Sequence, residues 1–185
     1  MLQVARELIG KKICTKINGR HTSGMIVEVE AYSGAIDKAS HAFPNKVTKR
    51  TQSMFKEGGI SYVYLCYGIH VMFNIVTNIN GNADAVLLRA IEPTEGVDIM
   101  EERRGIFTSG SKLTSGPAKL AKALGIKIEH NETDLNQEKI WLEDYKSFGD
   151  AEITATTRVG VDYAGEDAKL PWRFYLNDNN YVSKS

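Results

Sequence analysis

Only two cysteines, Cys14 and Cys66, occur in the 185 residues, far apart and both in apolar, strand-like settings. Neither a disulfide framework nor a cysteine metal site is read from them, and both are expected to be reduced core thiols. The histidines, His21, His41, His70 and His130, show no ligand spacing, so no metal is expected. Net charge is missing too, with 23 basic against 23 acidic residues. Taken alone, that balance argues mildly against a nucleic-acid partner. Every apolar run is broken by Glu, Gly, Asn or Arg well short of the about 20 residues a membrane span needs, and the opening MLQVARELIGKK lacks the apolar segment of a signal peptide. A cytoplasmic chain with no membrane partner is expected. No repeat or low-complexity segment is visible.

What is present fits one domain over residues 1–185, large enough for a core without staples, and a monomer is the simplest expectation. The apolar and charged fractions, 42% and 25%, are those of ordinary soluble chains. Charge is unevenly spread. Arg6, Lys11, Lys12, Lys16 and Arg20 stand against Glu7 in the first twenty residues, Lys46, Lys49, Arg50 and Lys56 cluster after His41, and acids collect between Glu129 and Glu152. A basic face with an acidic back would permit phosphate binding despite neutrality.

Along the chain, Gln3 to Gly10 reads as a short amphipathic helix. Lys11 to Ile17 and His21 to Tyr32 read as strands around Asn18-Gly19, a type I′ hairpin signal. Ser33 to Ser53 is a polar loop of about twenty residues, and ordered loops of that length usually serve function. Tyr62 to Cys66 and Ile69 to Thr77 are strand-like around a Tyr67-Gly68 tip, Asn80-Gly81 is a turn, and Asp84 to Ile91 is another strand. Thr94 to Arg104 is expected to be helical, IFTSGSK a surface loop, and a helix runs from Gly116-Pro117 to Gly125. Short strands follow around Ile140 to Glu143, Glu152 to Val161 and Trp172 to Leu176. The sum is an α+β domain on a curved, mostly antiparallel, partly barrel-like sheet with flanking helices.

The stretch MIVEVEAY places two acids in a strand of β-branched residues. Alternation puts Met25, Val27, Val29 and Ala31 on one face and Ile26, Glu28, Glu30 and Tyr32 on the other. His41, nine residues beyond Tyr32, can fold back over that second face. Tyr62 and Tyr64 share a strand face, and Tyr67 sits at the tip. Together these residues make a pocket with aromatic walls, an imidazole and a carboxylate floor. Such walls suit a flat, cationic ring, and an aromatic wedge at a hairpin tip suits holding open a duplex from which a base has been extruded. A carboxylate would stabilise an oxocarbenium-like sugar and activate water. Arg89, in the apolar strand DAVLLRAI, needs an acidic partner, a phosphate or a fixed water. Three other readings stay open on these residues: acids on a solvated sheet face, a carbohydrate hydrolase pairing Glu28 with Glu30, and a nucleic-acid binding module without chemistry.

In order along the chain, VEVEAY and His41, TKRT with MF close behind, YVYLCYG, Asn74, LLRAIEPTEG, GPAKL, then RVGV and PWRFY resemble the alkyladenine (3-methyladenine) DNA glycosylase family. The resemblance runs from about Val4 to Tyr175. It implies a single α/β domain with a curved antiparallel sheet, no metal or organic cofactor, and a partner in double-stranded DNA carrying damaged purines. Residue by residue, it implies Glu30 as general base, with Arg89 holding the water and the flipped nucleotide. Tyr32, His41 and Tyr64 would form the base pocket, Tyr67 the intercalating side chain, and Asn74 a filter against guanine's exocyclic amine. Thr48, Arg50, Lys119 and the backbone near Val161 would meet phosphates. The pattern departs at Thr51, where many relatives have Asn, at His70, and in a longer turn at residues 78–82. No lysine lies in the pocket stretches, so hydrolysis without strand cleavage is expected.

Overall fold

The structure is a computed structural model that describes residues 1–107 and 110–183. Thr108 and Ser109, inside the expected IFTSGSK loop, lie outside the described residues. The sheet is organised around β2 (Arg20–Ser33). One edge of β2 pairs with β5 (Asp84–Glu95); the other is shared by β1 (Lys12–Ile17) in its first half and β9 (Arg173–Leu176) in its second. Asn18 and Gly19, at φ 53° and 73°, turn β1 into β2, as a type I′ turn requires.

Beyond β5 come β4 (His70–Val76) and β3 (Ser61–Cys66). Beyond β1 come β7 (Ile140–Glu143) and β6 (Asn136–Gln137), while β8 (Ile153–Thr156) pairs with β9. Every pairing is antiparallel. A strand that serves two partners along one edge makes the sheet curl, and the result is the α+β half-barrel anticipated from the sequence.

Helices α1 (Leu2–Leu8), α2 (Val97–Arg104) and α3 (Pro117–Ala123) accompany the sheet, with 3-10 turns in several of the connections. α3 buries Leu120, Ala121 and Ala123 with Val29, Phe73, Ile75, Val86 and Leu88 of the sheet in one core. α2 starts later than the sequence suggests. Thr94 and Glu95 stay in β5, and the helix begins after Gly96. That glycine has φ 68°, and a Cβ there would stand 2.4 Å from the His21 carbonyl oxygen, so the tight turn admits only glycine. The strand expected over Glu152 to Val161 shrinks to β8, because Arg158 leaves the sheet for a buried partner, Asp37.

Two bulges correct the simple alternation read along MIVEVEAY. Ile26 faces Ile91 and Glu28 faces Ala90, leaving Val27 as an extra residue in β2; Glu28 faces Ala90 and Val29 faces Leu88, leaving Arg89 as an extra residue in β5. Bulges re-aim side chains. Ile26 consequently packs into the main core with Met25 and Val27 rather than sharing a face with the acids.

Four of the five N-terminal cations are paired with acids, and Lys16 stays exposed. Arg6 pairs with Asp150, Lys11 with Asp144, Lys12 with Glu143 and Glu95, and Arg20 with Glu102. The acidic stretch folds over the basic one, and Lys56 is likewise taken by Glu132. No helix among the described residues is long and apolar enough to cross a membrane.

Candidate active site

Strand register brings the site together. Glu30 of β2 faces Leu87 of β5, Leu87 faces Asn74 of β4, and Asn74 faces Tyr62 of β3. Residues directly opposed in a sheet point to the same side, so this row crosses four strands on one face. Tyr32, two residues from Glu30, and Tyr64, two from Tyr62, fall on that side as well. The loop 34–50 arches over it and delivers His41 and Arg50. The enclosed cleft is about 470 Å³ and is lined by Glu30, Tyr32, His41, Tyr62, Tyr64 and Asn74 among others.

Glu30 is fully buried at its floor. The Val159 amide donates to its Oε1 at 2.7 Å, Arg89 Nη1 lies 3.2 Å from the same oxygen, and the Tyr32 hydroxyl donates to Oε2 at 2.7 Å. Oε1 thus accepts from the Val159 amide beside the Arg89 charge and Oε2 accepts from Tyr32, which leaves an acceptor position for a further donor. Burial, followed by the adjacent Glu30, holds the Tyr32 phenol well above its ordinary pKa. Tyr32 stays protonated and keeps donating.

The walls are aromatic. Tyr62 and Tyr64 stack at 5.3 Å between centroids, and His41 meets Tyr64 edge-on at 4.7 Å with its Nδ1 3.2 Å from the Tyr62 hydroxyl. Packing against these rings, then the Arg50 charge, lowers the His41 pKa to about 4. The imidazole is neutral at pH 7, although His41 remains exposed where it lines the cleft. Burial pushes the Tyr62 phenol up to about 12 and also raises Tyr64. Asn74 is buried, its amide nitrogen donating to the Tyr62 carbonyl at 3.0 Å. Tyr67 stands at the β3–β4 tip, 91% exposed and at φ 52°.

The residues assigned to phosphates are scattered around this cleft. Arg50 places its guanidinium 4.7 Å over the Tyr64 ring. Thr48 is exposed and braces its own loop through Thr51, whose hydroxyl also donates to the Lys46 carbonyl. Lys119 is exposed on α3, beside a second cleft with Lys112, Lys122 and Lys127. Val161 buries its side chain against Ala39 and Ala164. Cys66, expected in the core, is only half-buried and lines the cleft; Cys14 is buried as expected.

The role of Glu28, and the residues Arg158, Asp37, Arg173 and Ser183, went unnoticed in the sequence. Glu28 is fully buried and accepts from Arg89 Nε at 2.8 Å, Arg173 Nε at 2.7 Å, the Ser183 hydroxyl at 2.9 Å and the Ser183 amide at 2.7 Å. It is a structural anchor tied down by four donors, three on Oε1 and one on Oε2, which disfavours a role as partner acid in a two-carboxylate hydrolase. Arg158 forms a fully buried ion pair with Asp37 and lies over both Tyr32, at 4.8 Å, and Trp172, at 5.2 Å. It fixes the loop whose next amide, that of Val159, reaches Glu30. One signal could have found these arginines: each buried guanidinium demands a carboxylate.

A family model described as methylpurine-DNA glycosylase matches residues 1–180. Curated relatives from Alkaliphilus oremlandii and Chlamydia felis are 45% and 46% identical, with 99% and 96% of this chain aligned to 94% and 91% of theirs. One from Clostridium botulinum is 43% identical over 99% of this chain and 94% of its own. All three carry the provisional name 3-methyladenine DNA glycosylase. With that length of match at that identity, on a fold whose strand register gathers the motif residues into one cleft, the chain belongs to the methylpurine-DNA glycosylase family.

Proposed function

We propose that the chain is a monofunctional glycosylase acting as a monomer on duplex DNA. It flips alkylated or otherwise damaged purines such as 3-methyladenine out of the helix and hydrolyses the N-glycosidic bond, leaving an abasic site for base excision repair. The observation that carries this reading is Glu30, a buried carboxylate at the floor of a cleft walled by Tyr32, His41, Tyr62 and Tyr64.

A base extruded from the stack enters between those rings. A cationic N-alkylated purine gains about 0.5–2 kcal/mol from their π faces, and a neutral His41 adds no opposing charge. Glu30 Oε2, with Tyr32 on one side, accepts the proton of a water directed at the sugar C1′ and stabilises the positive charge that develops there. Arg89 and the Val159 amide hold the other oxygen, so the carboxylate is oriented before the reaction begins. Asn74 narrows the pocket where guanine's exocyclic amine would sit. Tyr67 fills the gap in the duplex, and Thr48, Arg50, Lys119 and the backbone near Val161 meet phosphates. Among the described residues no lysine lines the cleft, which supports hydrolysis rather than a Schiff-base lyase.

The test is release of free bases from methylated duplex DNA. The wild-type chain releases methylated purines and leaves strands uncut until alkali is added; Glu30→Gln still binds damaged duplex but releases no base. Excision by Glu30→Gln at near wild-type rate refutes the assignment.

A further inference from the structure

Ser183 lies beyond every motif that carries the family resemblance, yet it reaches the centre of the site. Its hydroxyl donates to Glu28 Oε1 at 2.9 Å and accepts from Arg89 Nη2 at 3.1 Å, and its amide donates to Glu28 Oε2 at 2.7 Å. Its carbonyl accepts from Arg173 Nη2 at 3.0 Å. Every polar group of this serine is spent on one buried cluster, in which the carboxylates of Glu28 and Glu30 face the guanidiniums of Arg89 and Arg173.

The consequence for Arg89 is geometric. A guanidinium is a planar fork whose orientation is set by what occupies its edges. Glu28 takes Nε and Ser183 takes Nη2, the two nitrogens of one edge, so the remaining nitrogen, Nη1, is turned toward Glu30 Oε1. Arg89 also borders both clefts, and without Ser183 the guanidinium keeps one hydrogen bond, to Glu28, with only the 3.2 Å ion pair to Glu30 to hold its far end.

We infer that Ser183 is a positioning residue for catalysis: the C-terminal segment straps over the Glu28–Arg89 pair and fixes the guanidinium that orients Glu30. The inference rests on the reading of Glu30 as the base. Ser183 does not itself touch the substrate.

The experiment compares Ser183→Ala, Ser183→Thr and Glu30→Gln with the wild-type chain, measuring single-turnover base excision at saturating enzyme and affinity for an abasic-analogue duplex. Ser183→Ala is expected to excise about tenfold more slowly, short of the about hundredfold that a full 1 Å misplacement can cost, with affinity unchanged and with the rate restored by Ser183→Thr. If alanine prevents folding, Ser183→Cys, which keeps a side-chain donor in place but weakens its hydrogen bonds, takes its place under the same criteria. Wild-type excision, a parallel fall in rate and affinity, or no rescue by threonine each overturns the inference. An active Glu30→Gln overturns the proposed function instead, so the two failures are told apart.

Discussion

The Tyr32 hydroxyl and the Glu30 carboxylate, two residues apart on one strand, are joined by a 2.7 Å hydrogen bond. Same-face neighbours in a strand need no loop to bring them together, so their relative position is among the most rigid features of the cleft. Tyr32→Phe keeps the ring as a wall and deletes the donor. A hydrogen bond to a charged group contributes about 1.5–3 kcal/mol, so excision should slow by about tenfold or more. Affinity for abasic-analogue duplex should stay put. Single-turnover kinetics beside equilibrium binding checks the split, and equal losses in both would assign Tyr32 to base stacking alone.

Glu28 makes the opposite prediction, on stability rather than chemistry. Glu28→Ala leaves Arg89 and Arg173 buried without their shared carboxylate, and breaking a buried ion pair from one side costs about 3–5 kcal/mol. Urea unfolding should detect a loss of that size. A variant as stable as wild type would mean that the two guanidiniums find other partners.

Asp37→Asn tests the second buried pair. Both side chains of Asp37–Arg158 are fully buried, and Arg158 already has an unpartnered Nε, so the guanidinium has no reserve of acceptors. The variant should lose about 3 kcal/mol or more in urea unfolding. Because Arg158 fixes the loop that sends the Val159 amide to Glu30, it should also slow excision. Full activity with lowered stability would separate the loop's anchoring from its catalytic contact.

Much of this site could be read from spacing. The positions of Glu30 and Tyr32 on β2, and of Tyr62 and Tyr64 on β3, follow from a period of two, and the hairpin tips at Asn18-Gly19 and Tyr67-Gly68 follow from turn chemistry. Bulges at Val27 and Arg89 were not legible, because an extra residue in one strand is defined only by its partner. The same holds for Glu28: its neighbours in sequence are apolar, and the groups that satisfy it come from residues 89, 173 and 183. The ion pairs of the N-terminal cations were hidden for a related reason, since the acids that meet Arg6, Lys11 and Lys12 arrive from residues 143–150 and the one that meets Arg20 is Glu102.

Tyr67 sits in a conformation that tyrosine disfavours. Its φ of 52° costs an L-residue with a Cβ roughly 1–2 kcal/mol relative to glycine, and at 91% exposure the ring recovers nothing from the core. Tyr67→Gly should therefore fold at least as stably as wild type, the relief of strain offsetting glycine's greater loss of backbone freedom. Its affinity for an abasic-analogue duplex should fall by about 1–3 kcal/mol, the worth of a stacked aromatic ring. Unchanged affinity would return Tyr67 to an ornament of the turn.

His41 links the cleft to pH. Its ordinary value of 6.5 drops to about 4 in the fold, through packing against the tyrosine wall first and the charge of Arg50 second. Between those values the unfolded chain takes up a proton that the folded chain refuses, so His41 makes stability fall as pH drops from about 6.5 toward 4. The contribution vanishes above that window, where the imidazole is neutral in both states. Ring proton shifts followed by NMR should give a midpoint near 4 in the wild-type chain and a higher one in Arg50→Ala, which removes the second cause. Urea unfolding at two pH values checks the linkage, since His41→Gln should lose less stability than wild type on acidification through the window. A midpoint near the ordinary 6.5 would mean that the imidazole is solvated and stands clear of the tyrosine wall, and its role as a neutral face for a cationic base would go with it.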